Sequence, residues 1–326
     1  MSFKDIMGHQ RAIAFLQRAI AQEKVVHSYL FVGHEGVGKS LVALQFAKAL
    51  NCLDGEKAVD GCDRCPSCRK IDHGLHPDVS LIEPEGQTLR VEQVREMLSG
   101  LAYRPFEGRR RVLILSAADR MAPHMSNTLL KTLEETPLHT VIILIATSTR
   151  WILPTILSRC QPVRFHPIPY PLVADWLIQV KGLEAKEAHL LALLSEGSPG
   201  HALSIRQELA GLPRRDLLRW IASKSLSPEE QEGWIESFPG QREPLRLLLE
   251  VAKTLLRDLM VRKTSLEPSK LIHADLASEI ERYAEGWTLP HLLRRMEGLH
   301  HATKAIRANA NTRLALETLM LSWAEG

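Results

Sequence analysis

The first half of the chain alternates between short, mostly apolar runs and longer stretches in which apolar residues return every three or four positions. The runs 28–32, 79–82, 112–115 and 141–146 have the length of strands. The last is apolar on both faces, as a strand buried within a parallel sheet must be. Helical spacing predicts helices over 5–22 (Ile13, Leu16, Ile20), 39–50, 91–101 (Val94, Leu98, Leu101) and 127–135, and a short helical stretch over 153–157. This rhythm predicts a parallel sheet with helical crossovers. Pro162, Pro167, Pro169 and Pro171 mark a connector, and beyond it no strand-like run occurs. Helical patterns over 172–180 and 185–195 stop at Gly197-Ser198-Pro199-Gly200. A stripe from Leu245 to Leu259, a second opening with Leu292, Met296 and Leu299, and a last over 314–323 read as core faces of helices. Three parts are expected: an α/β domain, a small helical lid and a helical C-terminal domain.

Composition supports the helical bias. Phe 7, Trp 6 and Tyr 4 in 326 residues are few for an architecture of strands. Hydrophobic residues at 45% and charged ones at 24% exclude disorder and a disulfide mini-scaffold. With 41 basic and 38 acidic residues the net charge is +3, too small to grip nucleic acid by bulk electrostatics. Any DNA contact must come from a local patch or an assembly. No apolar run approaches the roughly 18 residues of a membrane span, and the N-terminus lacks the order of a signal peptide. A cytoplasmic protein without membrane contact is expected. Its five cysteines then read as thiols or metal ligands rather than disulfides.

Gly33-His34-Glu35-Gly36-Val37-Gly38-Lys39-Ser40 fits G-x-x-x-x-G-K-[ST], directly after a predicted strand and at the opening of a predicted helix. Gly33, Gly36 and Gly38 let backbone N–H groups turn toward phosphates. Lys39 would reach the β- and γ-phosphates of ATP, and Ser40 would hold Mg²⁺. Hydrolysis also needs a carboxylate at the end of another strand, here the 112–115 run. Ser116 and Ala117 stand there instead, while Asp119 reads as a cap of the next segment. A positioned base is worth roughly 100- to 10,000-fold in rate. The loop can therefore hold a nucleotide, but hydrolysis is expected to be poor or absent.

Cys52, Cys62, Cys65 and Cys68 form C-x9-C-x2-C-x2-C. Four soft thiolates so close suit a structural Zn²⁺ in a closed tetrahedral site, with no position left for catalysis. A redox C-x-x-C is the alternative, although no thioredoxin-like unit surrounds it. His73 and His76 nearby read as surface residues, and Cys160 as a small core residue. Arg104, Arg109, Arg110 and Arg111 surround Pro105-Phe106-Glu107-Gly108, which reads as a solvated turn or as a DNA- or partner-facing loop. On spacing alone, Arg159 reads as a solvated arginine, an internal salt bridge, or a group aimed at a neighbour's phosphate.

In order and content the set resembles the clamp-loader branch of the AAA+ ATPases, nearly end to end. The resemblance rests on His27-Ser28-Tyr29-Leu30-Phe31 leading into the phosphate loop, the four-cysteine module, and Asn127-Thr128-Leu129-Leu130-Lys131-Thr132-Leu133-Glu134-Glu135-Thr136-Pro137. Leu153-Pro154-Thr155-Ile156-Leu157-Ser158-Arg159-Cys160 and Gly197-Ser198-Pro199-Gly200-His201-Ala202-Leu203 complete it. It implies an α/β AAA+ P-loop domain with a parallel sheet over 1–167, carrying the zinc module at 52–68. A small helical lid over 168–208 and an all-α collar over 209–326, through which subunits form a ring, would follow. Thr147 or Ser148 would be the sensor polar residue after the fourth strand. Ser116 and Ala117 would replace the acidic pair of the motor subunits, and Gly200 the lid arginine that senses the γ-phosphate. Arg159 would be an arginine finger, inserted in trans into a neighbouring motor subunit's ATP site. The implied role is a non-hydrolysing, stator-like subunit of a ring that loads the sliding clamp onto primed DNA, beside motor (gamma/tau) and delta subunits. An active motor ATPase of the same family, and a zinc-containing nucleic-acid-binding protein with a vestigial P-loop, are the alternatives.

Overall fold

The computed structural model describes residues 1–54, 59–84, 100–101, 103–121, 123–224, 226–264 and 271–324. Two units divide the chain: Met1–Leu172 with Gly197–His201, and Val173–Glu196 with Ala202–Gly326.

The first unit is built on a parallel sheet of β1 (Ser28–Val32), β2 (Val79–Ile82), β3 (Arg111–Leu115), β4 (Thr140–Ala146) and β5 (Gln161–Arg164), in the order β2-β3-β4-β1-β5. Ser28 pairs with Ile142 and Leu30 with Leu144, so β1 and β4 run together at the centre. All seven residues of β4 are buried. A fully buried aliphatic side chain contributes about 1.5–3 kcal/mol, so this strand anchors the sheet. The four expected strands are present. β5 is an addition: Gln161-Pro162-Val163-Arg164 buries only Val163. It forms one border of the sheet, where a proline's missing N–H is tolerated.

Around the sheet lie α1 (Gln10–Ala21), α2 (Lys39–Asn51), α3 (Pro66–Asp72), α4 (Pro123–Glu134) and α5 (Pro154–Leu157). α2 buries Val42, Ala43, Phe46 and Ala47, with the Phe46 ring edge-on to Tyr29 of β1 at 5.3 Å. α3 has no counterpart in the apolar pattern, because it spans barely two turns. Its start comes from local chemistry: Pro66 in the first turn, and the Cys65 sulfur accepting the Cys68 N–H. Of the helix expected over 91–101, residues 91–99 lie outside the described set.

Beyond residue 169 the described chain is helical throughout: α6 (Tyr170–Gln179), α7 (Ala185–Leu194), α8 (Pro199–Ala210), α9 (Arg214–Ile221), α10 (Pro228–Ser237), α11 (Arg242–Thr264), α12 (Ala277–Glu285), α13 (Leu289–Arg307) and α14 (Thr312–Ala324). α11 buries its stripe from Leu245 to Leu259 against α9, α12 and α13. Trp220 of α9 is fully buried, edge-on to Phe238 at 4.9 Å and beside Trp323 at 4.7 Å. Asp258 is buried in α11, where it accepts the N–H groups of Ile272 (3.1 Å) and His273 (2.7 Å). Burial pulls the His273 imidazole down to about 4, so it is neutral beside the Thr254 hydroxyl. Among the described residues, no helix is long and apolar enough to cross a membrane.

Candidate functional site

β1 ends at Val32, and the chain turns at Gly33, whose N–H donates to Ala146 of β4 (3.2 Å). Gly36 (φ +71°) and Gly38 (φ +111°) take left-handed backbone that only glycine adopts freely. α2 then opens at Lys39 with no side-chain cap, so its first N–H groups face a cavity of about 440 Å³. Gly36, Gly38, Lys39, Ser40, Ser116 and Thr147 line it. Lys39 is 6% exposed, and its ammonium donates to the carbonyls of Gly33 and His34, both at 2.6 Å. Burial pulls it down to about 8, with the Asp119 and Glu35 carboxylates opposing. The lysine is thus folded onto its own loop, within the site where phosphates would compete for it.

At the end of β3 the cavity wall is Ser116 and Ala117, so no carboxylate occupies either position. Among the described residues the buried Ser116 hydroxyl has no partner, nor has Asp119 Oδ1. Asp119 does not cap the segment that follows it. It sits in a 3-10 turn, Ala118–Arg120, and its Oδ2 reaches across to the turn after β4. There it accepts the N–H groups of Thr147 (2.8 Å) and Ser148 (3.3 Å) and the Thr147 hydroxyl. Thr147 lines the cavity, while the Ser148 hydroxyl accepts the Arg150 N–H (3.1 Å) and so closes its own turn. Sequence spacing misses this brace, because it joins two strand ends 28 residues apart.

A second unforeseen contact covers the loop. The Gly200 N–H donates to the Gly36 carbonyl (3.0 Å), and the Ser198 hydroxyl to that of Glu35 (2.7 Å). A Cβ on Gly200 would stand 2.9 Å from Gly36 Cα, and one on Gly36 would stand 2.6 Å from Ser198 Oγ. The two backbones therefore meet at van der Waals distance, and a side chain at either glycine would part them.

The four cysteines converge. Their sulfur atoms all lie within 4.8 Å of one another, and Cys62 and Cys68 are 3.9 Å apart. A tetrahedral zinc with Zn–S bonds of about 2.3 Å would set its sulfurs about 3.8 Å apart. Backbone N–H groups of Cys65 and Cys68 donate to the sulfurs of Cys62 (3.3 Å) and Cys65 (3.4 Å). Burial pushes the Cys52 and Cys68 thiols up. At Cys65 burial is outweighed by N–H and thiol donors, which bring it down to about 7. Such a group of thiols ionises together only around a cation, so the residues fit a structural metal ion. Lys48 ties the module to α2: its fully buried ammonium pairs with Asp63 and with Asp72 (2.9 Å). His73 is exposed, as expected. His76 is not: it is 4% exposed, and its Nδ1 accepts the Asp78 N–H (3.1 Å).

The arginine-rich loop is an exposed turn, as one reading expected, but its backbone is clamped from beneath. Asp78, 1% exposed, accepts the N–H groups of Phe106 (2.7 Å), Glu107 (2.9 Å) and Gly108 (2.8 Å) and pairs with Arg111 (3.2 Å). Asn51 Oδ1 takes the next two, from Arg109 and Arg110, both at 2.9 Å.

Arg159 lies between α5 and β5. Its carbonyl accepts the Ser28 hydroxyl (2.6 Å), which fixes its backbone at the start of β1, and Cys160 beside it is buried. The guanidinium is 37% exposed, donating to the Thr155 carbonyl (3.0 Å) and pairing with Glu134 (2.7 Å). Ser28 opens β1 and Gly33 follows its end, so the strand, about 13 Å at 3.3 Å per residue, separates Arg159 from the phosphate loop.

A family model described as DNA polymerase III, delta subunit, matches residues 8–169, and one described as its C terminal matches residues 214–325. The delta' subunit of DNA polymerase III from Bacillus subtilis (strain 168) is 28% identical over 340 positions, covering 100% of this chain and 99% of that protein. The tau subunit of Escherichia coli (strain K12) is 32% identical over 212 positions, 64% of this chain and 33% of that protein. The chain thus spans about a third of the length of such tau relatives. Among solved structures, a gamma subunit-related protein of Thermotoga maritima aligns with 96% of this chain and 99% of its own, at 20% identity and a TM-score of 0.45.

Proposed function

Because the chain belongs to the delta-prime family of DNA polymerase III clamp-loader subunits, we propose that it acts in the ring as a non-hydrolysing stator that lends Arg159 to a neighbour's ATP site. The observation that carries this reading is the division of chemistry between the two ends of one sheet. The phosphate loop lies at the C-terminal end of β1, opposite a strand end that offers Ser116 and Ala117 in place of carboxylates. Arg159 lies at the other end, a strand's length from its own loop, with its side chain 37% exposed. An arginine so placed acts in trans or not at all.

Gly33, Gly36, Gly38, Lys39, Ser40 and Thr147 would then hold ATP with Mg²⁺ without turning it over, with Ser148 in the turn beside them. The Ser116 hydroxyl and Asp119 Oδ1, buried and unpartnered among the described residues, are polar atoms that such a ligand shell would satisfy. Cys52, Cys62, Cys65 and Cys68 would hold Zn²⁺, which supplies a rigid cross-link between the loop after α2 and α3, and no catalysis. Residues 1–167, 168–208 and 209–326 would serve as nucleotide-binding domain, lid and collar. The partners would be the gamma/tau motor and delta subunits in a hetero-oligomeric cytoplasmic ring, with the sliding clamp and primed DNA engaged by the complex. The chain would contribute to the holoenzyme without being an enzyme by itself.

Turnover by the purified chain at saturating ATP tests the stator reading. No turnover alone, with acceleration of the gamma/tau subunit in the presence of clamp and primed DNA, is expected. Turnover by the chain alone would return the motor reading. Tight DNA binding by the lone chain with a steep salt slope would instead favour a nucleic-acid-binding zinc protein.

A further inference from the structure

In the helical unit a cavity of about 270 Å³ opens where α13 begins, beside the segment after α9 and the end of α14. Its walls bring Lys224, His291, Arg294 and Arg295 together with the indoles of Trp287 and Trp323, and among the described residues no carboxylate lines it. Arg295 is 5% exposed. Its guanidinium lies between the two indoles, 4.3 Å from the ring centre of Trp287 and 4.6 Å from that of Trp323. Nη1 donates to the Ile221 carbonyl (2.8 Å) and Nη2 to that of Ser223 (2.5 Å). A guanidinium carries five N–H donors, so three remain without an acceptor among the described residues. Burial pulls the group down to about 10, which leaves it charged at neutral pH.

Among the described residues, the surroundings add positive charge and no acidic group in the lining. Lys224 and Arg294 are exposed and form no ion pair with any described residue. Lys224 Nζ stands at the helix entry, 3.7 Å from where a Cβ on Gly286 would be. α13 has 19 residues and no acidic residue in its first turn. Its N-cap, Thr288, turns its hydroxyl to His291 Nδ1 and caps no helix N–H. Three cations and the positive end of a helix dipole therefore meet at one concavity.

We propose that this cavity binds a compact phosphate-bearing anion, held by Lys224, Arg294 and Arg295 at the start of α13. A phosphate carries up to two negative charges and several acceptor oxygens, matching a site with several donors better than a single carboxylate does. Trp287 and Trp323 are 8% and 7% exposed, so neither offers a free face for a stacked base. The recognised group is the phosphate, whether free or part of a backbone.

The test uses the full-length chain carrying Lys39→Ala, which weakens the phosphate loop. Calorimetric titrations with inorganic phosphate, pyrophosphate and a short phosphodiester oligonucleotide are compared with acetate as a carboxylate probe. One-to-one binding of at least one phosphate probe is expected. Adding Lys224→Ala and Arg294→Ala, both at exposed positions, is expected to weaken it by roughly tenfold or more, the loss of a charge-assisted hydrogen bond. Binding of phosphate or pyrophosphate identifies a free anion as the source; binding of the oligonucleotide alone, lost in the same variants, identifies a nucleic-acid backbone. No binding to the Lys39→Ala chain, binding unchanged by the two substitutions, or acetate competing as well as pyrophosphate overturns the proposal.

Discussion

Replacing Arg159 by alanine separates its two roles by size. Within the chain it pairs with Glu134 at 2.7 Å, but the side chains are 37% and 52% exposed. Exposed pairs contribute about 0.2–1 kcal/mol, so the variant should fold and assemble like the wild type. An arginine finger is worth roughly 1,000- to 100,000-fold in phosphoryl transfer. At about 1.4 kcal/mol per decade that is about 4–7 kcal/mol, well beyond the local stability cost. The assay is ATP turnover by the assembled ring with clamp and primed DNA, alongside urea unfolding and gel filtration of the same preparation. Turnover at the site facing Arg159 should collapse while the unfolding midpoint and assembly hold. Arg159→Lys should recover little, because a lysine lacks the planar fork. Glu134→Ala, which frees the guanidinium, should leave turnover at least as fast. Undiminished turnover in Arg159→Ala would refute the reasoning, and so would a loss that merely follows failure to assemble.

Cys65→Ser with Cys68→Ser should release about one zinc per chain, measured by atomic absorption, and lower the melting temperature; unchanged metal content would reject this ligand set. Lys39→Ala should weaken nucleotide binding to the isolated chain by about tenfold or more, yet leave clamp loading by the ring near the wild-type rate. Asp78→Ala strips three backbone N–H groups and Arg111 of their acceptor. It should cost about 3–5 kcal/mol in urea unfolding. Burial alone would raise the Asp78 carboxyl, but those N–H donors and Arg111 hold it below its ordinary 3.8. Its contribution is therefore present above that value and is lost as pH falls through the lower one, so the stability gap between wild type and Asp78→Ala should narrow below about pH 4.

The central strands were legible because a strand buried on both faces leaves a continuous apolar run, as 141–146 does. β5 left no such trace, since three of its four residues are exposed and one is proline. The phosphate loop and the cysteine spacing are local, and both could be read residue by residue. What escaped is held across distance: Asp119 bracing Thr147, Ser198 and Gly200 lying on the loop, and Glu134 as the partner in the internal salt bridge open to Arg159. His76 likewise looked like a surface residue because its burial depends on the loop that Asp78 clamps above it. The sandwich of Arg295 between two tryptophans joins residues of different helices, and no spacing rule brings it into view.

The proline in β5 bears on crowding. The Phe165 N–H points inward to Val32 at 2.7 Å, so by the alternation of a parallel strand Val163 and Gln161 also face β1. Pro162 and Arg164 then hold the outward positions. A free sheet border is a template on which a strand from another molecule can add, and such addition propagates into fibres. Here one outward donor is missing and the next belongs to an exposed arginine. Copies gathered at high local concentration are thus turned away from extending one another's sheets on this side, and association is left to side chains, whose shapes can choose a partner.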